Sequence, residues 1–384
     1  MRRILFALLA FALLSPALAQ NDDPLKVAFI YVGPVGDYGW TYAHDLGRQE
    51  LQEHFGDRIE TVYVESVPEP EVEPFIDQLV AGGADVIFAT SFGYGDGVLA
   101  AAQRYPDVIF GWATGVQRAP NVLTYMADFY QVYYLNGLIA GALTETSTLG
   151  YVAAFPIPEV KRHIDAFALG AREVDPDAEV VVRWLYQWFD PAGAAEATEA
   201  LMGAGADVLA FTEDTPTVIQ TAADRGHPSF SHYASMVEFS PDTVVSGQLV
   251  YWETLYIDII EKVLDGTYTS ENLQDVDYFW LLEQGAVELG AEPGVPVAEP
   301  FVDDLRAVEI DHPEFGAIDA YELVMERNAQ MKRGREVFDP FEGPIRDRNG
   351  NLVYEEGHLP SIDELLGIEW AAENVVGPWD NEPE

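Results

Sequence analysis

The chain has 384 residues and no cysteine, and its 20 Lys+Arg against 65 Asp+Glu give a formal net charge of −45. The missing cysteine excludes disulfides, thiolate metal sites, cysteine catalysis and a lipidated N-terminal cysteine. So negative a surface repels phosphates and argues against a nucleic-acid ligand. With 48% hydrophobic and 12% aromatic residues, sizeable cores are still possible, and the length allows roughly two or three domains.

Residues 1–19 (MRRILFALLAFALLSPALA) set Arg2 and Arg3 before an apolar stretch over 4–14. They end in Ala17-Leu18-Ala19, the small residues that a signal peptidase needs. A signal peptide cleaved before Gln20 and release into the periplasm are expected. The alternative, a membrane anchor, wants a longer apolar run. The acidic excess is spread along the chain rather than gathered in a tail. That pattern points to solubility in high salt, where screening removes the repulsion.

From there short apolar runs alternate with helical patterns. Residues 26–32 (KVAFIYV), 60–64, 85–89 (DVIFA), 108–112 (VIFGW), 149–155, 179–184 and 207–211 read as buried strands. Stretches 70–81, 131–143, 159–174 and 194–202 carry apolar residues at helical spacing. Strands apolar on both faces and alternating with helices imply parallel sheets covered on both sides, so the class is α/β. Further on, Asn349-Gly350 between Ile345 and Leu352-Val353-Tyr354 predicts a hairpin turn. The acids near it do not make an EF-hand, because Leu352 stands where the sharp-turn Gly is required.

Residues 81–90 (AGGADVIFAT) and 203–212 (GAGADVLAFT) are similar at an offset of 122. Each follows a helix ending in Gly, which suits a C′ cap. Chance likeness between βα units is one explanation; two similarly built lobes is the other. Two such lobes joined by several chain crossings describe a bilobal receptor whose sheets present their strand C-termini to one cleft. The candidate contacts are then the residues just after the strands: 33–37, 91–95, 113–115, 156–159, 187–190, 212–215 and 232–236.

No catalytic signature is present: no G-x-S-x-G, no H-E-x-x-H, no Walker loop. The seven His are scattered without ligand spacing. Gly93-Tyr94-Gly95-Asp96-Gly97 lacks the third Gly of a dinucleotide fingerprint and reads as a turn opening a helix. Neither catalytic residues nor a metal or cofactor is expected. What stands out is aromatic residues at predicted strand ends. Trp40 follows a Gly-rich turn over 33–39; Trp184, Tyr186, Trp188 and Phe189 cluster after another strand; Tyr130, Tyr133 and Tyr134 sit where the chain crosses between lobes. Aromatic faces at a cleft can sandwich a flat ring, worth roughly 0.5–1.5 kcal/mol per pair beyond burial. The same residues also suit a core or a lobe interface. Trp40, in a polar turn, favours the cleft.

Segment 32–47 (VGPVGDYGWTYAHDLG) resembles the opening of the basic membrane protein (BMP) family of ABC-transporter solute receptors. So do 157–170 (IPEVKRHIDAFALG), 187–191 (QWFDP), 212–216 (TEDTP), Gly343-Pro344, 347–350 and 368–377 (IEWAAENVVG), in order and spacing from about 26 to 378. The resemblance implies the type I periplasmic-binding-protein fold, two doubly wound parallel-sheet lobes around a central cleft. It implies a first lobe of 25–128 plus about 248–290, and a second of 129–247 plus about 318–378. Many members are anchored lipoproteins; this chain has no Cys and is expected free in the periplasm, as a monomer. Relatives bind purine nucleosides, purine nucleobases or riboflavin, all flat heterocycles. By the resemblance, the ring stacks between Trp40 and either Trp188 or Phe189, and Asp214 accepts from a ring N–H or exocyclic amine. Tyr42, Ser91, Phe92, Asp128, Tyr130 and Tyr233 complete the expected ligand contacts.

Two departures shape the ligand expected. Nucleoside-binding relatives carry one acid after the first strand and another in a Tyr-Asp-Ser-Asp-like segment. Here the first strand ends Tyr31-Val32-Gly33, and 231–236 (SHYASM) offers Tyr233 and Ser235 instead. A ribose would lose charged acceptors, so a nucleobase of adenine, guanine or hypoxanthine type is preferred to a nucleoside. The chain is thus expected to be the periplasmic solute-binding component of an ABC importer. Its partners would be a small-molecule ligand and an inner-membrane permease, with no nucleic acid. The alternatives are a nucleoside or riboflavin receptor, a ligand sensor for a membrane signalling protein, and a periplasmic nucleosidase. The last would need a carboxylate or His beside the glycosidic bond. A repressor is excluded by the signal peptide and the lack of a basic DNA-binding segment.

Overall fold

The computed structural model describes residues 23–379; the expected signal peptide, 1–19, lies outside the described residues. β1 (Leu25–Ile30), β2 (Ile59–Val64), β3 (Val86–Ala89), β4 (Ile109–Ala113) and β5 (Val122–Ala127) alternate with α1 (Trp40–Phe55), α2 (Val72–Ala81) and α3 (Gly95–Arg104). α4 (Tyr130–Leu143) leads into a second series. There β6 (Thr148–Ala153), β7 (Glu179–Trp184), β8 (Val208–Thr212), β9 (Ser229–Tyr233) and β10 (Val244–Val250) alternate with α5 (Pro158–Val174), α6 (Pro191–Gly203) and α7 (Thr217–Ala223). The chain returns through α8 (Trp252–Leu264) and β11 (Asp277–Trp280), then through β12 (Val287–Leu289).

The strand order is β11-β5-β4-β3-β1-β2 in the first sheet, all parallel. In the second it is β12-β10-β9-β8-β6-β7-β17, with β17 (Val375–Val376) at one edge and antiparallel β12 at the other. Both sheets share the core order 2-1-3-4-5. The repeated segments end in β3 and β8, the equivalent third strand of each lobe. Gly83 and Gly205 hold the left-handed turn before them, with φ of 87° and 110°. This is the α/β, type I periplasmic-binding architecture. β5, β9 and β10 escape the sequence reading because Thr124, Ser229, Ser231, His232, Ser246 and Gln248 interrupt their apolar runs; all six are buried.

Three crossings join the lobes: β5 to α4, β10 to α8, and β11 to β12. They are tied to one another. Asp128 N donates to Trp280 O (2.9 Å), Tyr251 N to Ala286 O (2.9 Å) and Leu282 N to Gln131 Oε1 (3.3 Å). The lobe boundaries are corrected in one respect: 248–250 and Val287–Leu289, expected in the first lobe, pair in the second sheet. The remaining chain covers the second lobe. It runs through α9 (Glu299–Arg306), the hairpin β13 (Glu309–His312)–β14 (Gly316–Asp319), α10 (Ala320–Met331), the hairpin β15 (Ile345–Arg346)–β16 (Leu352–Tyr354) and α11 (Ile362–Leu366). The β15–β16 pair turns at Asn349-Gly350, as that dipeptide predicts.

α4 is buried all round over 130–141, as a helix without a polar face must be. It packs on α5 backbone to backbone. A Cβ built on Gly170 would fall 2.0 Å from Tyr134 O, and one on Gly137 would fall 2.1 Å from Phe167 O. Nothing larger than hydrogen fits without parting the helices. Gly170→Ala is expected to destabilise the protein by about 1–3 kcal/mol, read as a lowered denaturant midpoint with an unchanged m-value.

Candidate functional site

In a doubly wound sheet of this order, the strands on either side of the order reversal open a crevice at their C-terminal ends. Both sheets turn that crevice towards the same space. A cavity of about 290 Å³ lies there, lined by Val32, Trp40, Ser91, Phe92 and Thr114 from the first lobe and by Glu159, Trp188, Asp214 and Tyr233 from the second. A second space, of about 620 Å³, adjoins it and shares Phe92, Thr114 and Glu159. Its other walls are mostly hydrocarbon: Val116, Met126, Ile157, Pro158 and Leu366, with Arg162.

Trp40 opens α1. Its indole N–H donates to Thr90 O, and its ring meets His44, Tyr233 and Trp252 edge to face at 4.5, 5.4 and 5.2 Å. The start of α1 is capped twice. Asp37 takes the backbone N–H of Gly39 (2.8 Å), Thr41 (3.3 Å) and Tyr42 (3.0 Å), in the manner of an N-cap acid. Asp214, from the other lobe, takes the N–H of Trp40 at 3.1 Å. The two lobes touch here: a Cβ on Gly39 would lie 2.6 Å from Asp214 Cα. Asp214 N in turn donates to Trp188 O at 2.7 Å, which fixes the turn carrying Trp188 relative to Trp40. Asp214 therefore caps α1 across the cleft, not the helix that starts near Pro216.

The acids of the cleft are crowded and dry. Burial raises Asp37 to about 6 against its three backbone hydrogen bonds. Burial, then the charges of Asp37 and Glu159, push Asp214 well above the usual carboxylate range. Burial and then Asp128 raise Glu159 to about 8, with Arg162 opposing. Asp128 goes the other way. Burial disfavours its charge, but Arg162 and His163 pair with it and hold it well below the ordinary value. Among the described residues, no three His, Asp or Glu side chains gather to hold a metal ion.

Of the expected contacts, Trp40, Ser91, Phe92, Trp188, Asp214 and Tyr233 line the cavity; Tyr42, Asp128, Tyr130 and Phe189 do not. Tyr42 lies two residues past Trp40 on α1, about 200° round the helix, and packs on Tyr38 at 5.3 Å. Tyr130 is fully buried and donates to Asp339 at 2.6 Å. Asp128 is fully buried beneath the cavity, on Arg162. Phe189 points outward, 46% exposed. Val32, Thr114 and Glu159 were missed. Thr114 and Glu159 fall inside the post-strand windows 113–115 and 156–159, yet nothing in their residue type set them apart among 65 acids and many hydroxyls.

Comparison with known proteins follows the same lines. The family described as ABC transporter substrate-binding protein PnrA-like matches residues 25–319. A purine-binding protein of Brucella abortus is 36% identical over 358 residues, 93% of this chain and 94% of its own length. A protein of Haloferax volcanii named for glucose binding in an ABC transporter is 38% identical over 290 residues, 76% of this chain and 72% of its own. An ABC transporter solute-binding protein of Aeropyrum pernix superposes with a TM-score of 0.67 at 20% identity, over 81% of this chain and 92% of that one. Another, of Conexibacter woesei, gives 0.61 at 20% identity, over 81% and 97%.

The raised acids set a pH dependence of known sign. An acid whose folded pKa lies above its unfolded value stabilises fully below the unfolded value and loses that contribution as pH rises through the folded one. For Asp37 the window runs from about 3.8 to about 6. Asp37→Asn is expected to flatten the fall of the thermal midpoint across that window, by roughly 1–3 kcal/mol, measured by calorimetry against the unaltered protein.

Proposed function

The chain belongs to the PnrA-like family of ABC transporter substrate-binding proteins, and from that premise we propose that its interlobe cavity takes a purine nucleobase. The observation that carries the reading is Trp40 and Trp188 lining one small cavity from opposite lobes. Closing the lobes brings an aromatic side chain to the ligand from each, the arrangement a flat ring rewards. The lining of the cavity supports a base. The space beside it is walled mostly by hydrocarbon, with Thr114, Glu159 and Arg162 as its polar groups. Ser235, at a place where nucleoside-binding relatives use acids, spends its hydroxyl on Ala291 O at 2.7 Å. The purine-binding relative points the same way.

Proteins of this family capture a small molecule and deliver it to a membrane permease. We place this one free in the periplasm after loss of residues 1–19. Among the described residues no helix is long and apolar enough to cross a membrane. The family is one of substrate-binding proteins, and catalysis has no support.

The deciding experiment is calorimetric titration of refolded, ligand-stripped protein with purine bases, purine nucleosides, riboflavin and glucose. Purine bases are expected to bind and the others to bind far more weakly. Nucleosides or glucose binding alone would overturn the reading. Trp188→Ala is expected to weaken base binding by about 1 kcal/mol, roughly fivefold. Gly39→Ala, whose added methyl strikes Asp214, is expected to weaken every ligand by holding the lobes apart, with thermal stability of the empty protein nearly unchanged.

A further inference from the structure

We propose that Glu159 and Thr114 form the pair that reads the polar edge of the base, selecting a purine that presents a hydrogen-bond donor beside an acceptor. The proposal rests on the nucleobase reading and adds to it the choice among bases.

The two residues face the same space from opposite lobes. Thr114 follows β4 and Glu159 stands in the first turn of α5, and both line the ring cavity and the adjoining one. Both are without partners. Thr114 Oγ1 is buried and makes no hydrogen bond. Glu159, 9% exposed, accepts and donates none among the described residues. A buried polar group left unpaired costs about 1–3 kcal/mol, so the Thr114 hydroxyl, beside a cavity-lining Glu159 carboxyl that makes no hydrogen bond, marks where a ligand would supply the partners. Two other polar groups of the cavity are already engaged. Asp214 holds Trp40 N, and Ser91 Oγ donates to Glu69 at 2.5 Å. Thr114 also keeps φ at 56°, a left-handed conformation that strains a β-branched residue and clusters at ligand sites.

Charge decides what the pair can recognise. Facing Glu159 are Asp128 from the β5–α4 crossing, Arg162 one turn along α5, Asp214 from the β8 end, Tyr151 from β6 and Tyr233 from β9. Arg162 is occupied by Asp128, so a dry site rich in acids leaves Glu159 protonated at neutral pH, consistent with its value of about 8. A protonated carboxyl donates through its O–H and accepts through its C=O. That matches the adenine edge, where the N6 amine donates beside a ring-nitrogen acceptor, and the N1–H beside O6 of hypoxanthine. An ionised carboxylate only accepts, and matches the paired N1–H and N2–H donors of guanine. One side chain therefore reads adenine only when protonated, whereas guanine offers it N1–H beside O6 when it is protonated and paired donors when it is ionised.

The test is titration of the refolded protein with adenine, hypoxanthine and guanine at pH about 6 and about 9, on either side of that value. In the unaltered protein the ratio of adenine to guanine affinity is expected to fall about tenfold from the lower pH to the higher. Glu159→Ala is expected to lose about tenfold or more in adenine affinity and to abolish the pH dependence of the ratio. Glu159→Gln, which keeps a donor beside an acceptor, is expected to recover most of that loss while the ratio stays independent of pH. Thr114→Val is expected to weaken adenine severalfold at both pH values. Adenine affinity and pH profile unchanged in Glu159→Ala, with purines still bound, would overturn this proposal alone. Absence of any purine binding by the unaltered protein would overturn the nucleobase reading and this proposal with it.

Discussion

Asp214 reaches from the second lobe to the first turn of α1 in the first, and the closed cleft depends on that reach. The contact works only because Gly39 has no side chain, since any Cβ there would meet the Asp214 backbone. One residue thereby does three things. It caps a helix, it sets the distance between the lobes, and through its own N–H on Trp188 O it fixes one aromatic wall relative to the other. Asp37, at the same helix start, completes the cap from within its own lobe. Burial raises both acids at this helix terminus, and the charge of Asp37 raises Asp214 further.

The same logic runs through the second lobe. Glu159 and Asp128 lie close, and only Asp128 has a cation, Arg162, at its side. Burial then separates their behaviour: the paired acid stays ionised, the unpaired one takes up a proton. Lone buried charges are costly and paired ones tolerable, so a chain of 65 acids and 20 Lys+Arg keeps its few buried cations for a few acids. The cleft holds less negative charge than the overall composition would suggest.

Much of the fold was legible because a parallel strand buried on both faces has a distinctive composition. The runs at 85–89 and 207–211 gave both the class and the two-lobe repeat. Strands with buried polar residues, β5, β9 and β10, hid because their apolar pattern is broken by groups most of which find partners only in the folded chain. Trp40 was legible from its Gly-rich βα turn, and Trp188 from its position after a strand. Phe189 was not separable from Trp188, since adjacent residues after a strand differ in facing for reasons that lie in the loop. Tyr130 was misread because its partner, Asp339, is 209 residues away. Glu159 and Thr114 carry no signal in residue type at all. What marks them is the lack of a partner, which exists only once every other group has been placed.

The three crossings are hydrogen-bonded to one another, so they bend together or not at all. A bilobal receptor with one such hinge behaves as a lever with a single degree of freedom. Its aperture is one quantity, set from inside by whatever bridges Trp40 and Trp188 and from outside by whatever grips both rims. A membrane partner that spreads the rims can therefore empty the cavity without touching a residue of its lining. The surface that governs release and the surface that governs selectivity are free to change independently.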